Sequence, residues 1–383
     1  MAKEIISNKF FTAIEEAQWD VLMACAAIGL TLFGLVMVYS ASGFHASTQL
    51  EGSFSAVLRQ AGWAAIGIVV MLILMRIDYQ RYASPTLILL GLVSSVTLLI
   101  TVLFFREANG ARRWIRFGPL SAQPSELAKI VLVTFLAYFL TRRNEEQREW
   151  DFRTTFLPAG IVTGALILLI LKEPDLGTAL MLGIIFVVLL VVGRVPIWHL
   201  LTLIPPVLVV GYVYIMGEKF RLARLIAFMD PEASPAVRRG AGYQINQSLY
   251  AVGSGGVSGV GLGAGKQKLG FLPEAKTDFI FAVVGEELGF VGTTVIVLVF
   301  GLLMWRCLKA SFRAPDQFGQ LLGIGLTTML IAQAFFNMSV VLSLVPTKGI
   351  TLPFVSAGGS SLVFALAAIG VLLNISEQAK AEE

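Results

Sequence analysis

Long apolar stretches recur along the whole chain, and they limit its possible folds more than any other feature. Each reaches or approaches the roughly 20 residues that a helix needs to cross a bilayer. Hydrophobic residues make up 56% of the 383 residues and charged residues only 14%, against the roughly 25% charged residues of ordinary soluble domains. A water-soluble fold cannot bury that much apolar surface. The sequence therefore predicts an all-α polytopic membrane protein.

About ten transmembrane helices are predicted. They cover residues 21–41, 57–75, 84–105, 125–141, 155–171, 177–193, 197–216, 279–305, 318–343 and 360–376. We expect one transmembrane domain over residues 1–383, with short tails at 1–20 and 377–383. One long loop, at 217–277, separates the seventh helix from the eighth.

The distribution of basic residues predicts the orientation, because cytoplasmic loops of membrane proteins carry an excess of Lys and Arg. With the termini in the cytoplasm, that side holds thirteen in its tails and short loops: Lys3, Lys9, Arg76, Arg81, Arg142, Arg143, Arg148, Arg153, Arg194, Arg306, Lys309, Arg313 and Lys380. The opposite side holds seven in its short loops: Arg59, Arg106, Arg112, Arg113, Arg116, Lys172 and Lys348. We therefore expect both termini in the cytoplasm and the long loop outside.

The long loop contains a predicted interfacial helix. Its apolar side chains recur at helical spacing, with Arg221 and Arg224 off the stripe: Leu222, Leu225, Ile226 and Met229. This pattern is typical of a helix lying in the membrane interface. Asp230-Pro231 should end it.

A glycine-rich stretch, GSGGVSGVGLGAGK at residues 253–266, follows in the same loop. Irregular backbone is expected there. The stretch is not a Walker A loop, because Val260 stands where the first Gly should be and Gln267 where Ser or Thr should be. A nucleotide-binding function is therefore not supported, and no nucleic acid partner is expected.

Few residues in the chain could ligate a soft metal or complete a nucleophilic triad. Cys25 and Cys307 are far apart in sequence, and His45 and His199 are the only histidines. The sequence therefore predicts no disulfide framework, zinc site or Ser-His-Asp triad.

Charged side chains close to the hydrocarbon are costly and mark candidate functional sites. Glu126 and Lys129 are three residues apart at the start of the fourth span, so they share a helix face. They form either a structural ion pair or a substrate contact. Glu173 and Asp175 flank Pro174 between the fifth and sixth spans, where Asp175 could cap the next helix.

Asp278 stands immediately before the eighth span, and Glu286 and Glu287 lie inside it. A helix turns roughly 100° and rises roughly 1.5 Å per residue. Glu286 could therefore share a cavity with Asp278 but would lie about 12 Å deeper, too far for a directly paired acid and base. Position alone makes Asp278 either a helix cap or a catalytic carboxylate.

Basic groups on the outer side could bind phosphate. Arg112, Arg113 and Trp114 precede the fourth span, and Lys348 lies between the ninth and tenth. Each could anchor the protein at lipid headgroups. Together around an outward-facing carboxylate, they suggest a site for an anionic lipid head.

Several motifs resemble those of the SEDS family of FtsW, RodA and SpoVE in order and spacing. They are NGARRWIRFGPLSAQPSELAK (109–129), EPDLGTA (173–179), GYQINQSL (242–249), LPEAKTDFIFAVVGEELG (272–289), NMSVV (337–341) and PTKGITLPFVSAGGSS (346–361). The PTKG sequence, with Lys348, is more similar to FtsW or SpoVE than to RodA. The resemblance covers essentially the whole chain.

The resemblance implies a peptidoglycan glycosyltransferase of the bacterial cytoplasmic membrane that polymerises lipid II with a class B penicillin-binding protein and other divisome proteins. Asp278 falls on the family's essential aspartate. Arg113, Lys129, Glu286 and Lys348 fall on positions implicated in function. We expect Asp278 to be the base and Arg113 and Lys348 to bind the diphosphate. The expected substrate-binding residues are Arg113, Lys129, Lys348, Trp114 and Glu286. A divalent cation, Mg or Mn, could share the diphosphate charge.

Other functions stay open at this point. A lipid II flippase would also use intramembrane charges, although the hydropathy reveals neither an inverted repeat nor paired broken helices. A scaffold that only activates the transpeptidase would leave the charged residues unexplained. A role in elongation or sporulation, in place of division, is a further alternative.

Overall fold

The computed structural model describes residues 19–42, 51–105, 112–117, 120–145, 151–230 and 232–381. Most of them are helical. The helices in chain order are α1 (Val21–Ser42), α2 (Glu51–Arg76), α3 (Pro85–Val102), α4 (Pro124–Glu145), α5 (Leu157–Lys172), α6 (Leu176–Val192), α7 (Ile197–Leu201), α8 (Ile204–Met216), α9 (Lys219–Met229), α10 (Pro235–Arg239), α11 (Ala241–Ser254), α12 (Ile280–Phe312), α13 (Gln317–Val341) and α14 (Gly359–Ala381). A 3-10 turn spans Tyr79–Ala83 and a π turn spans Phe152–Phe156. Strands β1 (Ile115–Phe117) and β2 (Leu120–Ala122) pair antiparallel.

Each of the ten predicted spans corresponds to helix in the structure. Within the described residues, nine helical stretches are long and apolar enough to cross a membrane. The predicted sixth span, α6, is apolar but shorter, at 17 residues. The all-α polytopic fold is thereby confirmed.

The seventh span has the predicted bounds, Ile197–Met216, but a short turn divides it into two helices. Thr202 and Leu203 form this turn while keeping right-handed helical backbone angles. Helix α8 then starts with Pro205 and Pro206 in its first turn. Proline has no N–H to donate and is tolerated only in the first turn of a helix. The two prolines therefore favour a new helix start inside what the hydropathy presents as one span.

The ends of the chain are only partly described. Residues 1–18 of the predicted N-terminal tail lie outside the described residues, as do residues 382 and 383. Residues 377–381 of the predicted C-terminal tail are helical, because α14 continues to Ala381. The cytoplasmic location of both termini stays a prediction.

Helices α13 and α14 form the centre of the bundle. α14 packs along α2, and α13 packs against α4, α6 and α12. Phe281, Phe300 and Phe354 are among the largest fully buried side chains. By contrast α8 exposes most of its apolar surface, including Leu208 and Val213. Lipid chains would solvate such a face.

The predicted interfacial helix is present as α9 and ends at Asp230, whose N–H donates to the Ile226 carbonyl. Pro231 lies outside the described residues. Ile226 and Met229 on the apolar stripe are exposed, as an interfacial helix requires. Ala227 on the opposite side is buried with Val237 and Ile245 from α10 and α11.

The glycine-rich stretch holds an opened turn of α12. Irregular backbone is predicted for the whole stretch and is observed from Gly255 onward. Gly253 and Ser254 differ from the prediction, because they are the last two residues of helix α11. Helix α12 breaks at Gly289 (φ 64°, ψ −161°). Carbonyls freed by this break accept N–H groups from the stretch, such as Val260 N–H to Glu286 O at 3.0 Å. A Cβ on Gly289 would lie 2.3 Å from the Gly259 nitrogen, so this close approach requires glycine.

Candidate active site

A cavity of about 1070 Å³ opens beside the start of α12. Its walls come from α9, the turn before α6, the start of α4 and the segments around residues 273–279 and 347–351. Five of the six predicted site residues line it: Arg113, Trp114, Lys129, Asp278 and Lys348. Segments separated by up to about 235 positions in sequence thus meet around one space.

Asp278 is half-buried at the edge of this cavity. The cap position of α12 is Phe279, and the described helix start carries no side-chain capping bond. The helix-cap interpretation of Asp278 is therefore wrong. Burial raises the pKa of Asp278 to about 7; Glu274 adds to the rise, whereas Arg113 and Arg224 oppose it. A carboxylate with a pKa near neutrality is suited to general-base catalysis.

The turn between α5 and α6 orients Arg113. The guanidinium donates to the backbone carbonyl of Glu173 at 3.2 Å and to that of Pro174. It also lies 3.8 Å from the carboxylate of Asp175. Asp175 in turn accepts from the Thr178 N–H at 3.2 Å, so its predicted capping role is confirmed. The same turn thus starts a helix and fixes a cation.

The side chain of Glu173 is completely buried, and neither of its carboxyl oxygens has a hydrogen-bond partner. Burial raises the pKa of Glu173 to about 9, with a further rise from Asp175. This rise in pKa favours the protonated, neutral form of Glu173. Its backbone carbonyl, rather than its side chain, holds Arg113.

Lys348 lies in the loop after α13, half-buried at the cavity wall. Burial lowers the pKa of Lys348 to about 8, and Arg224 lowers it further. Arg224 reaches this loop from α9, and its guanidinium donates to the Thr347 carbonyl at 3.5 Å. A bound anion would relieve the repulsion between these neighbouring cations, so their arrangement favours an anion between them.

Arg221 and Arg224 also line the cavity, and sequence reasoning did not assign them to the site. Arg221 stacks over Tyr214, with the guanidinium carbon 3.6 Å from the ring centroid. Their position off the apolar stripe of α9 was the available signal. The apolar stripe occupies one side of α9, so Arg221 and Arg224 lie on its other side, and there they line the cavity.

Lys129 lies at the cavity wall with its charge already paired. Its ammonium donates to Glu126 at 3.0 Å and to the Gln333 side-chain carbonyl at 2.6 Å. Only 2% of Lys129 is exposed. The structural ion pair that the spacing predicts is therefore present, and it lies at the edge of the cavity.

Glu286 lies apart from the cavity, contrary to its predicted place in the site. Its carboxylate accepts the backbone N–H groups of Lys266 at 2.7 Å and Gln267 at 3.2 Å. The sequence estimate considered only its angle and depth on a continuous helix. In the structure the backbone at Lys266 and Gln267 takes up this carboxylate instead.

Glu287 secures the same stretch from inside the protein. Its carboxylate contacts the ammonium of Lys268 at 2.5 Å and the Ser40 hydroxyl at 2.7 Å. It also accepts the N–H of Gly263 at 2.9 Å. The stretch that leads towards Asp278 is thus fastened to α1 and α12.

A smaller cavity of about 270 Å³ adjoins the first and shares Trp114, Ala357 and Gly358 with it. Arg59 and Lys276 line it, and its described lining includes no carboxylate. The two cavities therefore meet at Trp114. In their described linings, the smaller one has basic side chains without an acidic one, whereas the larger one holds five basic and five acidic side chains.

Comparison with known proteins identifies the family. A family model for FtsW, RodA and SpoVE, described as cell cycle protein, matches residues 20–381. The chain belongs to the FtsW/RodA/SpoVE family. A probable peptidoglycan glycosyltransferase FtsW of Geobacter metallireducens is 42% identical over 369 residues, 96% of each protein. Stage V sporulation protein E of Bacillus subtilis is 41% identical over 367 residues, covering 94% of this chain and 98% of that protein.

Solved structures of FtsW/RodA/SpoVE type share the fold. A chain from a study of polymerization and crosslinking by a peptidoglycan synthase complex has a TM-score of 0.75 at 28% identity, covering 94% of this chain and 98% of that one. The rod shape determining protein RodA of Thermus thermophilus has a TM-score of 0.66 at 27% identity, over 94% and 98%. Together with the apolar helices, family membership makes the chain a multi-pass protein of the bacterial inner membrane.

Proposed function

We propose that the chain is a peptidoglycan glycosyltransferase that polymerises lipid II at the outer face of the cytoplasmic membrane. One observation carries this proposal: Asp278 borders a cavity that also holds Arg113, Arg224 and Lys348. A lipid-linked sugar donor has a diphosphate on its anomeric carbon, and its departure requires cationic stabilisation. Relatives named as probable peptidoglycan glycosyltransferases support the same reaction.

The cations would bind the diphosphate in two ways. Arg113 and Arg224 present planar guanidinium groups that pair with phosphate oxygens through two hydrogen bonds, whereas Lys348 acts as a point charge. Because Arg113 is already held by two backbone carbonyls, little reorganisation is needed when the leaving group gains charge. Lys129, already neutralised by Glu126, would act mainly through the shape and polarity of the wall.

Asp278 would serve as the general base. Its carboxylate takes the proton of the acceptor hydroxyl as that oxygen bonds to the anomeric carbon of the donor. The bond from this carbon to the diphosphate breaks, and the lipid diphosphate leaves with the electron pair. An α-linked donor then gives a β-linked glycan in one inverting displacement, so a second nucleophilic carboxylate is not required.

We further propose that the acceptor approaches from the smaller cavity. Lys276 lines the smaller cavity, whereas Thr277 and Asp278 line the larger one. The base thus lies in the larger cavity, two residues along the chain from a residue that lines the smaller one. A polymerase must hold two lipid-linked sugars together, and the basic side chains in the lining of each cavity could pair with two anionic headgroups.

A divalent cation would bind chiefly with the substrate. Among the residues that the structure describes, no group of three or more His, Cys, Asp and Glu side chains could hold a metal ion. Mg²⁺ commonly uses one or two carboxylates, water and substrate phosphates. Asp278 presents a carboxylate to the cavity, whereas that of Asp175 already caps α6 and lies beside Arg113. Such an ion would supply additional positive charge to the diphosphate.

A class B penicillin-binding protein is the proposed partner, together with other divisome proteins. The structural relative from a peptidoglycan synthase complex supports a partner that crosslinks. We propose a role in cell division, because the relatives named FtsW match over nearly the full chain. Sporulation is the alternative that the similarity to stage V sporulation protein E favours.

Purified protein with its transpeptidase partner and labelled lipid II tests the proposal. With the partner's own activity blocked, glycan chains should accumulate on a gel. A flippase would instead move labelled lipid II between vesicle leaflets without forming chains, and a scaffold would do neither. Failure to form chains under conditions in which the partner binds would contradict the polymerase function.

A further inference from the structure

Three consecutive backbone carbonyls before α12 each accept a hydrogen bond from a distant part of the chain. The bonds join Lys276 O to the Ala357 N–H at 2.9 Å, Thr277 O to the Ser356 hydroxyl at 2.5 Å, and Asp278 O to the Asn337 side-chain amide at 2.8 Å. Helix α12 starts only at Ile280. The backbone of the proposed base is therefore held by tertiary contacts and not by its helix.

Asn337, on α13, connects the base to the loop that carries Lys348. Its side-chain NH₂ donates to Asp278 O at 2.8 Å and to Ile350 O at 2.6 Å. Rotating the amide would place its oxygen against two carbonyl oxygens, so the two acceptors determine its orientation. Only 1% of Asn337 is exposed, so water cannot replace either hydrogen bond.

Ser356 makes a second connection of the same kind. Its hydroxyl donates to Thr277 O at 2.5 Å and accepts the Leu352 N–H at 2.8 Å. Two polar side chains thus each link the segment before α12 to the segment after Lys348. Both are buried.

We propose that Asn337 and Ser356 are positioning residues that hold the carboxylate of Asp278 in register with the ammonium of Lys348. This inference rests on the proposed polymerase function. Proton transfer and charge stabilisation must act on the same substrate, so the spacing between base and cation matters. A displacement of about 1 Å in such an arrangement can reduce the rate roughly a hundredfold.

Asn337→Asp is the most informative variant, because it keeps the shape of the side chain but cannot donate to both carbonyls. A carboxylate donates no hydrogen bond, and a protonated carboxyl group donates only one. Asn374 on α14 provides a matched control: it is also buried, donates to Met75 O at 3.0 Å and accepts the Tyr79 N–H at 2.9 Å. Asn374→Asp therefore removes the same type of bond elsewhere. Asn337→Asp should lower kcat by about 10- to 100-fold with KM within about twofold, while Asn374→Asp keeps kcat close to wild type.

The titration of Asp278 gives a readout that does not depend on activity. Carbodiimide modifies protonated carboxyl groups, so labelling of the Asp278 peptide against pH, measured by mass spectrometry, reports its midpoint. Displacement of the segment changes the exposure of Asp278 and its distance from Arg113, Arg224, Glu274 and the other groups that set this midpoint. We expect the midpoint to move in Asn337→Asp and in Ser356→Ala but to stay fixed in Asn374→Asp.

A double-mutant cycle gives a second test of the pair. If both residues hold one segment, Asn337→Asp and Ser356→Ala should together cost less than the product of their separate losses in kcat. Wild-type kcat in either single variant, or an unmoved Asp278 midpoint in both, would overturn the positioning role. If Asn337→Asp fails to fold, Ser356→Ala decides by the same two criteria. Wild-type protein that forms no glycan would contradict the polymerase function, while the labelling experiment would still decide the positioning role.

Discussion

Gly349 lies directly against the carboxylate of Asp278. A Cβ built on Gly349 would be 2.9 Å from Oδ2 of Asp278, with no other heavy atom of the described structure as near to it. Because Gly349 has no side chain, the carboxylate of Asp278 can lie between the Lys348 loop and the cavity.

Gly349→Ala should therefore move the carboxylate and reduce polymerisation. The added methyl group is too close to Oδ2 for ordinary packing, and Asp278 is easier to move than the backbone of Gly349. We expect about a tenfold to hundredfold loss in kcat, since small misplacements of a catalytic group are costly. Gly164→Ala on α5 is the control, because a Cβ there has no neighbour within 4 Å. Equal kcat in the two variants would contradict the role assigned to Gly349.

Asp278→Asn should abolish chain synthesis while the protein still folds. The variant keeps the shape of the side chain but cannot accept a proton, and a general base contributes on the order of 10²- to 10⁴-fold in rate. Because the described α12 start has no capping bond from Asp278, thermal stability and partner binding should change little. The test measures glycan synthesis on a gel together with thermal stability and partner binding. Synthesis near the wild-type rate would remove Asp278 as the base.

The pH dependence of kcat/KM should be bell-shaped, and it reports the pKa values of the protein without bound substrate. Asp278 must be deprotonated, so activity rises as pH increases through about 7. Lys348 must be protonated, so activity falls as pH increases through about 8. Lys348→Arg offers a direct control, because a guanidinium stays charged over this range. The falling limb should disappear in that variant, and an unchanged limb would mean that Lys348 is not its source.

The transmembrane helices could be predicted from sequence because each one is a long apolar run. The break at Gly289 was harder to recognise, since FIFAVVGEELG has the composition of an ordinary span with two acidic residues. Its cause lies about 30 residues earlier, in backbone groups of the glycine-rich stretch that bond to the opened turn. A long-range contact of that kind leaves no periodic signal at the helix itself.

The candidate site divides in the same way. Asp278, Arg113 and Lys348 could be singled out as charged groups close to apolar runs, and the resemblance to FtsW, RodA and SpoVE supplied their expected roles. Asn337 and Ser356 could not, because a neutral polar residue in a helix or loop has many ordinary uses. Their significance depends on which carbonyls they meet. The position of Glu286 could not be predicted from helical geometry alone. Its carboxylate binds the backbone of Lys266 and Gln267, and helical geometry does not reveal that contact.

Removing the charge of Lys348 should weaken use of lipid II. A hydrogen bond to a charged group contributes about 1.5 to 3 kcal/mol, so Lys348→Ala should lower kcat/KM about tenfold to hundredfold. Lys348→Glu should lose more, because a carboxylate would face the diphosphate. Lys309→Ala near the other end of α12 is the control and should keep its activity. Unchanged polymerisation by folded Lys348→Glu would rule out the phosphate contact.

The Lys268–Glu287 pair should control stability more than chemistry. Glu287 is completely buried, and Lys268 contacts it at 2.5 Å. Lys268→Met would leave a buried carboxylate without its cation, which typically costs about 3 to 5 kcal/mol. Thermal unfolding in detergent should show a clear fall in Tm. Lys266→Met, at an exposed neighbouring position, should change the free energy of unfolding by less than about 0.5 kcal/mol.

A second substitution separates loss of the pair from loss of packing around Lys268. Adding Glu287→Gln removes the unpaired charge, while the glutamine carbonyl can still accept from the Gly263 N–H or the Ser40 hydroxyl. The double variant should therefore recover part of the stability that Lys268→Met loses. If the double variant is less stable than Lys268→Met by the full cost of Glu287→Gln alone, the two side chains are uncoupled. The glycine-rich stretch would then depend on its backbone bonds to α12 and not on this ion pair.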